Sequence, residues 1–151
     1  MILVGKMPTL LAMALIKIKD TLTPDLARRA GAAADKRPLL EAMGQAVKSL
    51  GIQAFTDPAK RAQAWAPRQD DEPHALLQKK TLLRKSIRVL GVTNSQVTIG
   101  SDRPYAATHQ LGRDAIPARP FLPFYQSGQM TPLGRQRTER ALAAALRVRG
   151  L

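Results

Sequence analysis

The chain has 151 residues, of which 44% are hydrophobic and 23% charged, and its formal net charge is +13. This length and composition are typical of one globular domain spanning residues 1–151, because a chain of this size buries about 68–70% of its unfolded surface and needs no staple to fold. The sequence contains no cysteine, which excludes disulfides, thiolate catalysis and the common structural zinc sites. The excess of positive charge favours polyanions or acidic proteins as partners.

The first sixteen residues contain two apolar runs around Lys6, but they do not predict a signal peptide or an anchor. No small-residue cleavage site follows them. The longer run is also well below the roughly 20 apolar residues that cross a bilayer. We therefore expect a cytoplasmic protein with no membrane partner.

The periodicity of apolar residues predicts an α+β fold. An N-terminal strand and a central hairpin are expected to form a small antiparallel sheet, packed by three to four helices. Alternating apolar and polar residues rich in Val, Ile and Thr predict strands at residues 15–19, 86–92 and 96–100. Leucines at three- and four-residue spacing, together with threonine-proline starts, predict helices at residues 24–35, 38–54, 75–85 and 131–149.

Two segments lack these patterns. Residues 56–73 predict a long polar loop, in which Trp65 is expected to pin the loop to the core. Residues 113–124 predict an extended arm, because each proline fixes its own φ and keeps the preceding residue out of the helical region. The apolar residues of this arm must be covered by the body of the domain or by a neighbouring subunit. Neither alternative points to catalysis.

No catalytic, cofactor or metal site is predicted. His109 lies close in sequence to Ser101 and Asp102, but a serine and an aspartate adjacent on one strand end cannot both converge on one imidazole in relay order. Structural hydrogen bonding is the expected role of His109, and His74 is expected to be solvated. Two histidines without paired carboxylates at ligand spacing do not predict a metal site, and the sequence has no glycine-rich phosphate loop.

Basic residues are concentrated in two regions. From residue 113 onward there are seven arginines and only two acidic residues, and a second basic cluster precedes the central strands. A solvated surface is the more frequent explanation of such charge. Only 4% of residues are aromatic, so stacking on bases is not expected. The residues assigned to a DNA-facing surface are Lys79, Lys80, Arg84, Lys85, Arg135 and Arg137.

A series of short motifs extends over roughly residues 36 to 124. They are Leu39-Leu40 with Gly44, Phe55, Asp57-Pro58, Trp65, Leu82-Leu83, Ile99-Gly100-Ser101, Tyr105-Ala106, His109-Gln110-Leu111-Gly112 and Pro117-Ala118-Arg119-Pro120-Phe121-Leu122. In the order and spacing of these motifs the chain resembles the phage virion morphogenesis or tail-completion proteins of long-tailed, Mu-like and P2-like phages.

This resemblance implies a non-enzymatic structural protein of the head-tail connection. It implies a subunit of a neck, tail-completion or tail-terminator ring, expected to be a six- or twelve-fold homo-oligomer. The implied neighbours are head-completion or connector proteins and tail-tube proteins, with non-specific contact to packaged DNA. The implied location is the neck or tail end of the virion, after assembly in the host cytoplasm. The alternative function is that of a small basic protein that binds DNA without sequence specificity.

The predicted contact with a neighbouring subunit or partner uses the arm and the residues before it. An extended segment is suited to lie along the sheet edge of a neighbour, with Phe121 as the apolar contact and Arg119 as the ionic one. The full set assigned to this interface is Tyr105, His109, Gln110, Pro117, Arg119, Pro120, Phe121, Leu122 and Phe124.

Overall fold

The computed structural model describes residues 14–18, 23–70, 73, 75–77 and 81–151. The described strands are β1 (Ala14–Ile18), β2 (Arg88–Val92) and β3 (Val97–Ser101). The described helices are α1 (Pro24–Gly31), α2 (Arg37–Gln53), α3 (Leu82–Ser86), α4 (Ala106–Leu111) and α5 (Pro132–Val148), with a 3₁₀ turn at Pro58–Lys60. The predicted α+β class is confirmed.

The three strands form an antiparallel sheet in the order β1-β3-β2, so β3 lies in the centre. Ile16 of β1 is paired with Ile99 of β3. The predicted hairpin of β2 and β3 is confirmed, and its turn is closed by a 2.9 Å hydrogen bond from the Thr93 N–H to the Gln96 carbonyl. Val97 and Ile99 are fully buried, which places the inner face of β3 in the core.

Helix α2 lies between the sheet and α5 and supplies much of the core. Gly44 and Gly51 are seven residues apart and so lie on nearly the same side of α2. A Cβ atom at Gly44 would lie 2.7 Å from the Val97 side chain, and one at Gly51 would lie 2.8 Å from the Leu122 side chain. Both distances are too short for ordinary packing, so the two glycines allow β3 and the arm to approach the helix closely. The buried apolar residues of α2 are Leu39, Met43, Val47 and Leu50.

Helix α5 follows its predicted boundaries closely. The Thr131 hydroxyl accepts a 3.0 Å hydrogen bond from the Gly134 N–H and caps the first turn. Gly150, just beyond the helix, has a φ of 70°, which suits glycine at a helix end. Leu142 and Leu146 are buried, and α5 packs mainly against α2.

Helix α1 begins at Pro24 as predicted but ends earlier than predicted. It stops at Gly31 instead of residue 35, because the Asp35 carboxylate belongs to the next helix: it accepts a 3.1 Å hydrogen bond from the Arg37 N–H at the start of α2. Pro24 occupies the first turn as expected, but the Thr23 side chain makes no capping hydrogen bond.

The helix predicted at residues 75–85 is wrong in its first part. Leu77 and Thr81 have φ values of 60° and 52°, and a backbone in this left-handed region cannot continue a right-handed helix. Among the described residues of this segment, the helix is limited to Leu82–Ser86. Residues 78–80 lie outside the described residues, as do His74, Lys19 and the apolar segment at residues 1–13.

Candidate partner-binding surface

The residues assigned to a partner contact surround α4. Tyr105 precedes this helix and is 39% exposed, with its ring in edge-to-face contact with His109 at 5.9 Å. Gly112 ends the helix with a φ of 75°, and a Cβ atom there would lie 3.0 Å from the Ala118 nitrogen. The arm, residues 113–124, therefore turns back at once and lies beside the end of α4.

The arm begins with a tight turn that the proline pattern did not indicate. Arg113 and Ile116 exchange two backbone hydrogen bonds of 3.0 and 2.8 Å, and Asp114 between them has a φ of 50°. This turn leaves Ile116 46% exposed. The rest of the arm is extended and returns along the body of its own domain.

Gln110 holds the arm in place. Its side chain is buried and its Oε1 accepts hydrogen bonds from the Phe121 and Leu122 N–H groups at 3.1 and 3.0 Å. Its Nε2 donates to the Phe124 carbonyl at 3.1 Å. These three bonds satisfy arm backbone groups that have no strand or helix partner, and buried groups of this kind must be paired. The assignment of Gln110 to a partner contact is wrong, because its contacts are internal.

The apolar residues of the arm belong to the core of the same chain. Phe121, Leu122 and Phe124 are each at most 1% exposed. The Phe121 ring packs 5.8 Å from that of Phe55. The assignment of these three residues to a partner contact is wrong, because the prolines stiffen the arm but the turn at its start directs it onto α2.

The polar loop is also hydrogen-bonded to the arm. Trp65 is buried, donates from Nε1 to the Pro120 carbonyl at 2.9 Å, and meets the Phe55 ring edge-to-face at 5.7 Å. The predicted role of Trp65 as a pin is confirmed. Pro120 is itself buried, so its assignment to the interface is wrong.

Arg119 makes hydrogen bonds within its own chain. Its Nε donates to the Ala66 carbonyl and its terminal nitrogen to the Pro67 carbonyl, both at 2.9 Å. Its backbone N–H donates to the His109 carbonyl at 2.7 Å. The guanidinium therefore joins the loop to the arm. These carbonyl partners do not neutralise its charge, so its assigned role as the ionic partner contact stays a prediction.

Four assigned or adjacent residues remain accessible and form what we call the α4 surface: Tyr105, His109, Ile116 and Pro117. Tyr105 and His109 lie one helical turn apart, and Ile116 and Pro117 follow the turn beyond Gly112. Ile116 and Pro117 also line an open groove of about 300 Å³, together with Leu76, Leu77 and the ends of the polar loop. The α4 surface thus presents aromatic and apolar side chains on a base that is fixed from within.

His109 is half-buried and its environment disfavours the charged imidazolium. Burial lowers the pKa of His109, and the nearby Arg119 guanidinium lowers it further. Its Nδ1 is buried and has no hydrogen-bond partner among the described residues. The prediction that this side chain makes a structural hydrogen bond is therefore wrong for Nδ1. The backbone carbonyl of His109 does accept a hydrogen bond, from the Arg119 N–H.

The pH dependence of stability should report this environment. Because the pKa of His109 is lower in the folded chain, protonation favours the unfolded state, and the free energy of unfolding should fall as the pH drops below about 6.5. In the His109→Gln variant, the free energy of unfolding measured in urea should change less between pH 7 and pH 5 than in the wild type. His74→Gln is the matched control and should retain the slope. The pKa of Asp35 is held at about 2 by its bond to Arg37, so Asp35 contributes only at lower pH.

The residues assigned to DNA lie on two helices and in a segment outside the described residues. Lys79 and Lys80 lie outside the described residues. Arg84 and Lys85 are on α3, whereas Arg135 and Arg137 are on α5. Arg135 pairs with Glu139 at 3.0 Å, which neutralises part of the charge at that end of α5.

Catalytic geometry is not present around Ser101. Its hydroxyl is fully buried, lies 2.5 Å from that of Ser86 and accepts from the Arg103 N–H at 3.0 Å. Asp102 pairs instead with Arg88 at 2.7 Å. Within the described residues there is no cluster of three or more side chains able to hold a metal ion. No helix in that part of the chain is long and apolar enough to cross a membrane.

The comparisons with known proteins agree with the resemblance seen in the sequence. The sequence profile of the phage virion morphogenesis family matches residues 14–147, which include the sheet, α2, the arm and nearly all of α5. No curated protein and no solved structure matches the chain. The matched segment covers most of the sequence and all the elements that build the α4 surface. The chain therefore belongs to the phage virion morphogenesis family, whose members have a structural or assembly role in the phage virion.

Proposed function

We propose that this chain is a non-enzymatic structural subunit of the phage head-tail connection, acting as a neck, tail-completion or tail-terminator protein. The observation that carries the proposal is the α4 surface, where Tyr105 and Ile116 remain exposed although the surrounding backbone is firmly held. Exposed aromatic and apolar side chains on a rigid base are typical of protein interfaces. The family supports the virion as the place where this surface is used.

The proposed assembly is a homo-oligomeric ring of six- or twelve-fold symmetry. In a ring, each subunit contacts the next through two unlike patches. The α4 surface supplies one patch, and the arm supports it from inside by holding α4 against the core. The proposed neighbours along the axis are head-completion or connector proteins on one side and tail-tube proteins on the other. Assembly takes place in the host cytoplasm and ends at the neck or tail end of the virion.

A complementation experiment tests this function. A phage that lacks the protein should accumulate separate heads and tails, and the wild-type chain should restore joined particles in electron micrographs. The Tyr105→Ala and Ile116→Ser double variant should fail to restore them, because it removes the two large apolar side chains of the α4 surface. Its melting temperature should stay close to that of the wild type, since both side chains are exposed.

Leu82→Ser is the matched control. Leu82 is 41% exposed, like Ile116, but it lies on α3, so this variant should restore joined particles fully. If the double variant restores joined particles as well as Leu82→Ser does, the α4 surface is not the interface. If particles lacking the protein altogether are correctly joined, the head-tail function itself is wrong.

A further inference from the structure

Helix α5 carries most of the arginines that lie between residue 113 and the C-terminus. It contains Arg135, Arg137, Arg140 and Arg147, and Glu139 is its one acidic residue. The Glu139 carboxylate accepts a 3.0 Å hydrogen bond from the Arg135 Nε, with which it forms an ion pair. Arg137, Arg140 and Arg147 make no ion pair with any of the described residues. The surface of α5 therefore keeps a net positive charge that the fold does not use.

These arginines lie on the side of α5 that faces solvent. The buried residues Gly134, Thr138, Leu142 and Leu146 recur every four residues and lie on the core side of the helix. The opposite side carries what we call the α5 outer face: Gln136, Arg137, Arg140, Ala144 and Arg147.

On the α5 outer face, arginines are separated by small side chains. Arg140 and Arg147 are exposed and seven residues apart, so they project from one stripe about 10 Å apart along the helix. The residues at 143 and 144 between them are both alanine. Small side chains between two long cations allow a broad polyanion to approach the helix without steric hindrance.

We propose that the α5 outer face binds the phosphate backbone of double-stranded DNA without reading its sequence. Arginine forks fit phosphate oxygens well, and backbone contacts carry no sequence information. A lipid surface fits less well, because Leu142 and Leu146 are buried in the core and Val148 alone is too small an exposed apolar surface to enter a bilayer. A virion protein meets a dense phosphate polyanion in the packaged genome. This inference does not depend on the α4 surface, and it narrows the DNA contact from the assigned basic residues of α3 and α5 to the outer face of α5.

The test is a salt titration with a matched charge control. Binding of the full chain to a fluorescent DNA duplex of random sequence is measured by anisotropy at several salt concentrations. The Arg140→Gln and Arg147→Gln double variant should bind more weakly, and the slope of log affinity against log salt should become less steep by about 2. The control, Lys85→Gln with Arg113→Gln, removes the same net charge from exposed positions elsewhere and should retain the wild-type slope.

Three outcomes would overturn the proposal. Equal loss in the double variant and the control would mean that DNA responds to overall charge and not to the α5 outer face. An undiminished slope in the double variant would place the phosphate contacts elsewhere. The third outcome is that the wild type binds poly-glutamate more tightly than the duplex and that the double variant loses this binding. It would identify an acidic protein as the partner of the α5 outer face. All the variants should keep the wild-type melting temperature, because the replaced side chains are exposed.

Discussion

Replacing Phe121 with alanine should lower the free energy of unfolding of the isolated chain by about 3–5 kcal/mol. The Phe121 side chain is 1% exposed and packs 5.8 Å from the Phe55 ring, so its truncation leaves a cavity beside the Phe55 ring. For a chain of this length the loss corresponds to a decrease in melting temperature of roughly 10 °C. Urea and thermal unfolding followed by circular dichroism measure both quantities.

The matched control for Phe121 is Ile116→Ala, on the same arm. Ile116 is 46% exposed, so its truncation should change the free energy of unfolding by less than about 0.5 kcal/mol. The two variants separate the two ways in which the arm could be covered. If Phe121→Ala leaves unfolding unchanged but prevents assembly, Phe121 is covered by another subunit and its burial in the same chain is refuted.

The long helices could be predicted from the sequence because their signals are local. In α2 the apolar spacing alone defines the buried side, and the observed span of Arg37–Gln53 differs from the predicted one by a single residue at each end. In α5 the Thr131-Pro132 start and Gly150 fix the ends. The first part of the helix predicted at residues 75–85 is wrong because its signal was also only local. Leucine spacing predicts a helix, but it carries no information on the left-handed backbone that Leu77 and Thr81 adopt.

The arm shows where local rules stop being sufficient. Its prolines correctly exclude a helix, but they do not determine which surface covers the apolar side chains. That outcome depends on tertiary contacts: Gly51 leaves room for Leu122 against α2, and Gln110 pairs with arm backbone groups more than ten residues away. A glycine near the C-terminal end of α2 and a glutamine on a short helix are weak signals in isolation. Among the residues assigned to the interface, the sequence therefore did not separate the buried supports of the arm from the side chains that remain exposed.

Replacing Gln110 with alanine should destabilise the chain by more than about 3 kcal/mol. The change leaves the Phe121 and Leu122 N–H groups and the Phe124 carbonyl without their partner, and each buried unsatisfied group costs about 1–3 kcal/mol. The arm should also become more accessible in the native state, because three of its hydrogen bonds to α4 are lost. Urea unfolding gives the loss of stability, and amide hydrogen exchange at Phe121 and Leu122 reports the release of the arm.

Gln126→Ala is the control for Gln110. The Gln126 side chain is exposed and makes a single 2.8 Å bond to the Leu111 carbonyl, so its loss should cost about 1 kcal/mol or less and leave exchange at Phe121 and Leu122 slow. Complementation then connects the arm to assembly. At a temperature where Gln110→Ala is still folded, we expect fewer joined particles than with Gln126→Ala, because a released arm no longer fixes the α4 surface. Joined particles at the wild-type level, together with fast exchange in the arm, would show that assembly does not require the arm to be held by Gln110.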